Sequence, residues 1–138
     1  MIRKRSARAL AGGLSIVFLL VGASTAYAVV SGSFSGKTGQ KQSISFHVGR
    51  GKVTNLDFHI RDRCPSGHIY AIHDFHFPFI KIGTNHKFDG RFKSTSTDAR
   101  VEITGTVHSR QVKGKIAEIR TIKGEKCAGL TKYTVNKH

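Results

Sequence analysis

From residue 44 onwards, apolar and polar positions alternate with the two-residue period of strands that bury one face. Ile44, Phe46 and Val48 alternate with Ser45 and His47; after Gly49-Arg50-Gly51-Lys52, the residues Leu56, Phe58 and Ile60 alternate with Asp57, His59 and Arg61. These runs predict a hairpin with one buried face, closed by a loop of three or five residues and compatible with a bulge near Val53. A second hairpin is cleaner. Val101, Ile103, Gly105 and Val107 alternate with Glu102, Thr104 and Thr106, His108 to Gln111 form a turn, and Val112, Gly114 and Ile116 alternate with Lys113 and Lys115. Pairing Val107 with Val112 sets Gly105 opposite Gly114 and Ile103 opposite Ile116, so the apolar side chains share one face throughout.

Between the hairpins, His68 to Ile82 is rich in aromatics and carries Pro78, which predicts an edge strand or a bend. Phe75, Phe77 and Phe79 are expected to fill the core; the alternative is a stacking platform for bases or sugar rings. Lys87 to Phe92 forms a further run, and Leu130 to Val135 closes the chain with Thr131, Tyr133 and Val135 on one face. Helix signals are scarce. Roughly seven to nine short strands predict an all-β, two-sheet antiparallel sandwich. The alternative is a small β-barrel, which would have to be built from unusually short strands.

The pattern is different before Val29. Arg3, Lys4, Arg5 and Arg8 precede an apolar run from Ala9 to Val21, and Ala26-Tyr27-Ala28 offers small residues for cleavage after Ala28. This predicts a signal peptide over residues 1–28 and a single secreted β-domain over 29–138, in a secreted or extracytoplasmic location. A retained anchor is the competing reading, but the apolar run is shorter than the roughly 20 residues a span needs. No Cys sits near the end of the run for acylation. The expectation is therefore a domain with no membrane span once the leader is removed.

Charge bears on the partner. The chain carries a formal charge of +15, and removing the four basic residues of the leader leaves +11 on residues 29–138. Such an excess attracts polyanions, so an anionic polymer or envelope surface is the expected partner. The plain alternative is that Lys and Arg keep a secreted domain soluble and monomeric, and a monomer is expected. Basic residues are spread from Lys37 to Lys137 with no dense block, which argues against nucleic acid.

Cys64 and Cys127 lie in a chain bound for an oxidising compartment and are expected to pair. Closing that loop would stabilise the fold by roughly 4 kcal/mol in the chain-entropy account. A catalytic thiol or a metal pair is the competing reading, although no Cys-x-x-Cys spacing occurs. A wider pattern runs from Gly36-Lys37-Thr38 through Ile44 to Val48, Val53-Thr54-Asn55-Leu56-Asp57-Phe58, Cys64, Gly90-Arg91-Phe92, Val101 to Val107, Gly114-Lys115-Ile116 and Cys127-Ala128-Gly129. In that order of elements the chain resembles a class of small secreted bacterial β-sandwich domains, of actinobacterial type, with one cysteine pair. The resemblance implies a fold and a cysteine pairing, and brings no catalytic motif. Tyr133 stands where that class tends to carry Trp, and the His-rich stretch from His68 to His76 sets this chain apart.

Histidines supply the candidate chemistry. Eight occur, and His59, His73 and His76 are the candidate metal ligands, with Asp57, Asp62 or Asp74 available as oxygen ligands or ring-orienting partners. Such a set suits zinc or copper. The spacing along the chain is unhelpful: no His-x-His occurs, and in a strand His73 and His76 point to opposite faces. No nucleophile elbow, zinc-protease helix or phosphate loop is present; Gly32-Ser33-Phe34-Ser35-Gly36 places Phe34 where an elbow has Ser. No catalytic residue and no cofactor is expected. The leading expectation is a non-enzymatic basic module for anionic envelope or extracellular material. The alternatives are a purely structural secreted domain, or a metal-binding or hydrolytic protein using its histidines.

Overall fold

Tight turns convert the alternating runs into ladders. The computed structural model describes residues 30–138; the proposed leader and its cleavage site after Ala28 lie outside them. Among the described residues the strands are β1 (Gly32–Thr38), β2 (Ser43–Gly49), β3 (Lys52–Arg63), β4 (Ile69–Asp74), β5 (Ile80–Lys81), β6 (Lys87–Ser94), β7 (Ala99–Val107), β8 (Gln111–Ile122) and β9 (Glu125–Lys137). Gly49 pairs with Lys52, so the first hairpin closes on Arg50 and Gly51 alone, with φ of 53° and 71°. That two-residue turn replaces the expected loop of three or five, because left-handed φ at both central positions matches the twist of the strands. The residue thus left over is absorbed as a bulge. Asn55 and Leu56 stand opposite Phe46, between the pairs Ser45–Asp57 and His47–Thr54.

The β7–β8 register is the one predicted, with Val107 opposite Val112, Gly105 opposite Gly114 and Ile103 opposite Ile116. The last hairpin is longer than its pattern suggests. It turns on Lys123 and Gly124, again at left-handed φ, and β9 begins at Glu125 rather than Leu130. Strands β3, β8 and β9 run to 12 or 13 residues, so the expectation of uniformly short strands does not hold.

All pairings are antiparallel; the main path is β4-β3-β2-β1-β9-β8-β7-β6, with β5 against β3 and a further contact between β3 and β9. The fold is all-β and sandwich-like, as expected, with the two layers drawn from one continuous sheet. In a flat sheet, β2 and β6 would stand about 24 Å apart, five spacings of about 4.8 Å. Yet the Phe46 ring on β2 lies 6.2 Å from Phe88 on β6 and 6.3 Å from Tyr133 on β9. The sheet therefore folds over, and Phe34, Ile44, Phe58, Ile60, Ile103, Val112, Ile116 and Val135 join these rings in one core.

Strands β1 and β2 are seven residues each, and beyond their ends the longer β3 and β9 meet directly at Arg63 and Ala128. The Cys64–Cys127 disulfide lies beside that contact, so the expected pairing is present. Residues 75–79 bend around Pro78 without strand pairing. Of the three phenylalanines there, Phe77 packs on Phe58 and Phe92, whereas Phe75 and Phe79 stay 48% and 57% exposed. Core filling thus holds for one of them, because a bend breaks the two-residue alternation. No helix among the described residues is long and apolar enough to cross a membrane.

Gly105 and Gly114 leave the space that Phe88 and Tyr133 fill. The Tyr133 hydroxyl donates to the Thr104 carbonyl at 2.8 Å, and burial pushes the phenol's pKa up, so it stays a neutral donor. A methyl group at Gly114 would meet the Thr104 carbonyl oxygen of the paired backbone, which no rotamer change relieves. Gly114→Ala should destabilise the domain by about 1–3 kcal/mol, the usual range for overpacking. Urea unfolding checks this; a midpoint equal to the parent's would mean that the strands part there without cost.

Candidate metal centre

Strand β3 turns Asp57, His59 and Arg61 outward while Phe58, Ile60 and Asp62 turn in. Its neighbour β4 places His73 directly opposite His59. Side chains in such cross-strand pairs start about 5 Å apart at Cβ, and the two imidazoles stack face to face at 4.1 Å with 7° between their planes. Asp57 precedes His59 by two residues on the same face, and its Oδ1 lies 2.9 Å from His73 Nε2. On the other side, Ser43 Oγ of β2 is hydrogen-bonded to His59 Nδ1 at 2.9 Å, which leaves Nε2 of that ring for a ligand role. One ligand atom from each of Asp57, His59 and His73 lies within 4.8 Å of the other two.

His59 and His73 are thus brought together, and His76 is not. Strand β4 ends at Asp74, and His76 sits beyond it at φ 66° with its ring against Phe75. Asp57 takes its place in the cluster. A signal for this existed in the spacing Asp57-x-His59, which puts a carboxylate and an imidazole on one face of a strand; the His73 partner needed the β3–β4 register. The pair Asp57–His73 has both side chains 44% exposed, and ion pairs so exposed contribute little stability.

The other two acids named with the histidines face inward. Asp62, Glu118 and Asp74 meet Arg120 in a polar layer at one end of the core. Arg120 Nη2 donates to Asp74 Oδ1 at 2.6 Å and Nε donates to Glu118 Oε1 at 2.7 Å, joining β8 to β4 across the fold. Burial works against the guanidinium charge, but the hydrogen bonds and charges of Glu118 and Asp74 raise the Arg120 pKa. Burial also pushes Glu118 up to about 9, helped by hydrogen bonding to Asp74 and by the nearby acids, although Arg120 opposes this. Asp62 rises to about 6, chiefly by burial. Both Asp62 oxygens, Asp74 Oδ2 and Glu118 Oε2 are buried with no donor among the protein's fixed hydrogens. A proton held by Glu118 supplies one donor among these carboxyl groups, for one of the waiting oxygens.

Asp74 and Arg120 also line an open cleft of about 560 Å³ with His73, His76, Phe77 and Phe92, so the outer cluster and the inner layer meet at His73 and Asp74. No protein-family model matches the chain, and neither a curated protein nor a solved structure does. Chemistry here rests on the side chains. Two imidazoles and a carboxylate are a donor set for zinc or copper(II), with at least one coordination position left over.

The inner layer makes stability depend on pH. Folded Glu118 keeps its proton up to about pH 9, whereas the unfolded chain releases it near 4.5, so the folded state holds one more proton between those values. Stability is then greatest at the acid end of that window and falls as pH rises through it. Asp62 adds a slope of the same sign between 3.8 and about 6. Thermal unfolding from pH 6 to pH 9 should show a falling Tm that Glu118→Gln flattens; equal slopes in both proteins would refute a protonated Glu118.

Proposed function

We propose that the protein is an exported binding protein for a divalent transition metal, zinc or copper(II), held by Asp57, His59 and His73. The observation that carries this reading is the convergence of three ligand atoms within 4.8 Å on one face of a paired strand couple. Metal–ligand bonds of about 2.0–2.2 Å require the atoms to close in further, which the stacked rings achieve by splaying about their side-chain torsions. The β-sheet backbone beneath stays fixed, so the site is largely preorganised. Ser43 holds the His59 ring, and Asp57 holds His73.

Loading exchanges a proton for an ion. The hydrogen bond between His73 Nε2 and Asp57 gives way to two bonds from the same atoms to the metal, and any proton on Nε2 is released. Affinity therefore falls as pH is lowered. Neither a nucleophile nor a general base is required of this site, so binding rather than turnover is its proposed role.

Titration calorimetry with zinc chloride and with copper(II) at pH 7.5 should give one ion per chain. His59→Ala and His73→Ala should each weaken binding by at least about a hundredfold, since losing a direct ligand costs more than the roughly tenfold to hundredfold of losing a group that only supports one. His76→Ala should leave it unchanged. Binding indifferent to His59 and His73, or abolished by His76→Ala alone, would overturn the assignment.

A further inference from the structure

The outer face of the other half of the sheet carries lysines in a regular array. Lys87 on β6 pairs with Thr106 on β7, Thr106 with Lys113 on β8, Lys113 with Thr134 on β9, and Thr134 with Lys37 on β1. Directly paired residues of antiparallel strands share a face. One row across five strands therefore reads Lys, Thr, Lys, Thr, Lys, with cations on every second strand and neighbouring ones about 9–10 Å apart along the ladder. The neighbouring row, two residues along, sets Lys115 beside Lys132. Thr104 and Asp89 complete that row, and the Asp89 carboxylate is already met by Arg91 at 3.2 Å.

All five lysines are exposed, and among the described residues none of them makes an ion pair. Like charges collected on one face repel one another, and an anion on that face removes the cost. What the array lacks is equally informative. It holds no aromatic ring on which a base or sugar could stack, and the guanidinium at its edge, Arg91, is already engaged by Asp89 and Glu102. It offers point cations and hydroxyl groups, which fit a flexible chain whose recognisable chemistry is repeated anionic oxygen.

We propose that the face formed by Lys37, Lys87, Lys113, Lys115 and Lys132 is a binding surface for a linear phosphate polymer lying across the strands. This surface does not depend on the metal reading: it lies on β6 to β9 and β1, whereas the metal ligands lie on β3 and β4. The formal charge of +11 on residues 29–138 concentrates such a polymer near the protein, and the rows fix where it lies.

The test uses long-chain inorganic polyphosphate and fluorescence anisotropy over a series of salt concentrations. The triple variant Lys37→Gln, Lys87→Gln, Lys113→Gln is compared with Lys81→Gln, Lys93→Gln, Lys126→Gln, which removes the same charge from outside the two rows, Lys93 and Lys126 lying further along the same strands; circular dichroism confirms that both fold. The row variant should lose at least about tenfold in affinity. Its slope of log affinity against log salt should shrink by about 2, taking about 0.7 per cation lost as for flexible single strands. The control should change several-fold less. Equal losses in both variants would mean a diffuse field and overturn the proposal, as would tighter binding of hyaluronate, a polycarboxylate, than of polyphosphate. His59→Ala and His73→Ala should leave polyphosphate binding intact, so this proposal and the metal reading fail separately.

Discussion

Folding one continuous antiparallel sheet over its own inner face is the constraint on which the rest of this structure depends. Every strand then has one face committed to a shared interior, and the ladders satisfy the backbone groups that burial would otherwise strand. The interior is filled differently along its length. Around Phe34, Phe46, Phe88 and Tyr133 it is aromatic and aliphatic, and glycines at 105 and 114 make room for the rings. Towards the disulfide it turns polar, where Arg120 reaches across to Asp74.

That polar layer is an expensive way to join two halves of a fold. Buried ion pairs recover their desolvation only when the geometry is good and the remaining polar atoms find partners. Here one guanidinium faces three carboxyl groups, so the charges cannot all be ionised cheaply. A proton on Glu118 reduces the imbalance, and burial is the main reason it is retained. Gly129 belongs to the same arrangement, since a Cβ there would press on Asp62 Oδ1. The layer also ties the inside to the outside. Asp74 turns in towards Arg120, and the residue before it, His73, turns out to stack on His59.

Because strand residues alternate, the same segments that build the core also set the spacing of everything on the surface. Cross-strand registry places His73 over His59 and brings Asp57 to the same ring; it also lines up Lys87, Lys113 and Lys37 across a distance that no linear spacing reveals. Both candidate sites are built on strands rather than loops, which suits ligands that need fixed positions more than closure.

Local alternation was enough to determine the all-β class, the β7–β8 register with its facing glycines, and the inward and outward residues of β2 and β3, because a one-residue slip would expose the whole apolar set. The first turn is shorter than the alternation suggests because a bulge at Asn55 compensates a tighter loop, and the two solutions leave nearly the same alternation. His76 looked equivalent to His73 along the chain until strand β4 ended between them. Tertiary structure alone decided that the layers are one sheet, that Asp62 and Asp74 face a guanidinium rather than a metal, and that Asp57 joins two histidines. The reason is physical: alternation specifies which side of a strand a residue occupies, whereas its neighbours across the ladder are set by pairing between segments far apart in the chain.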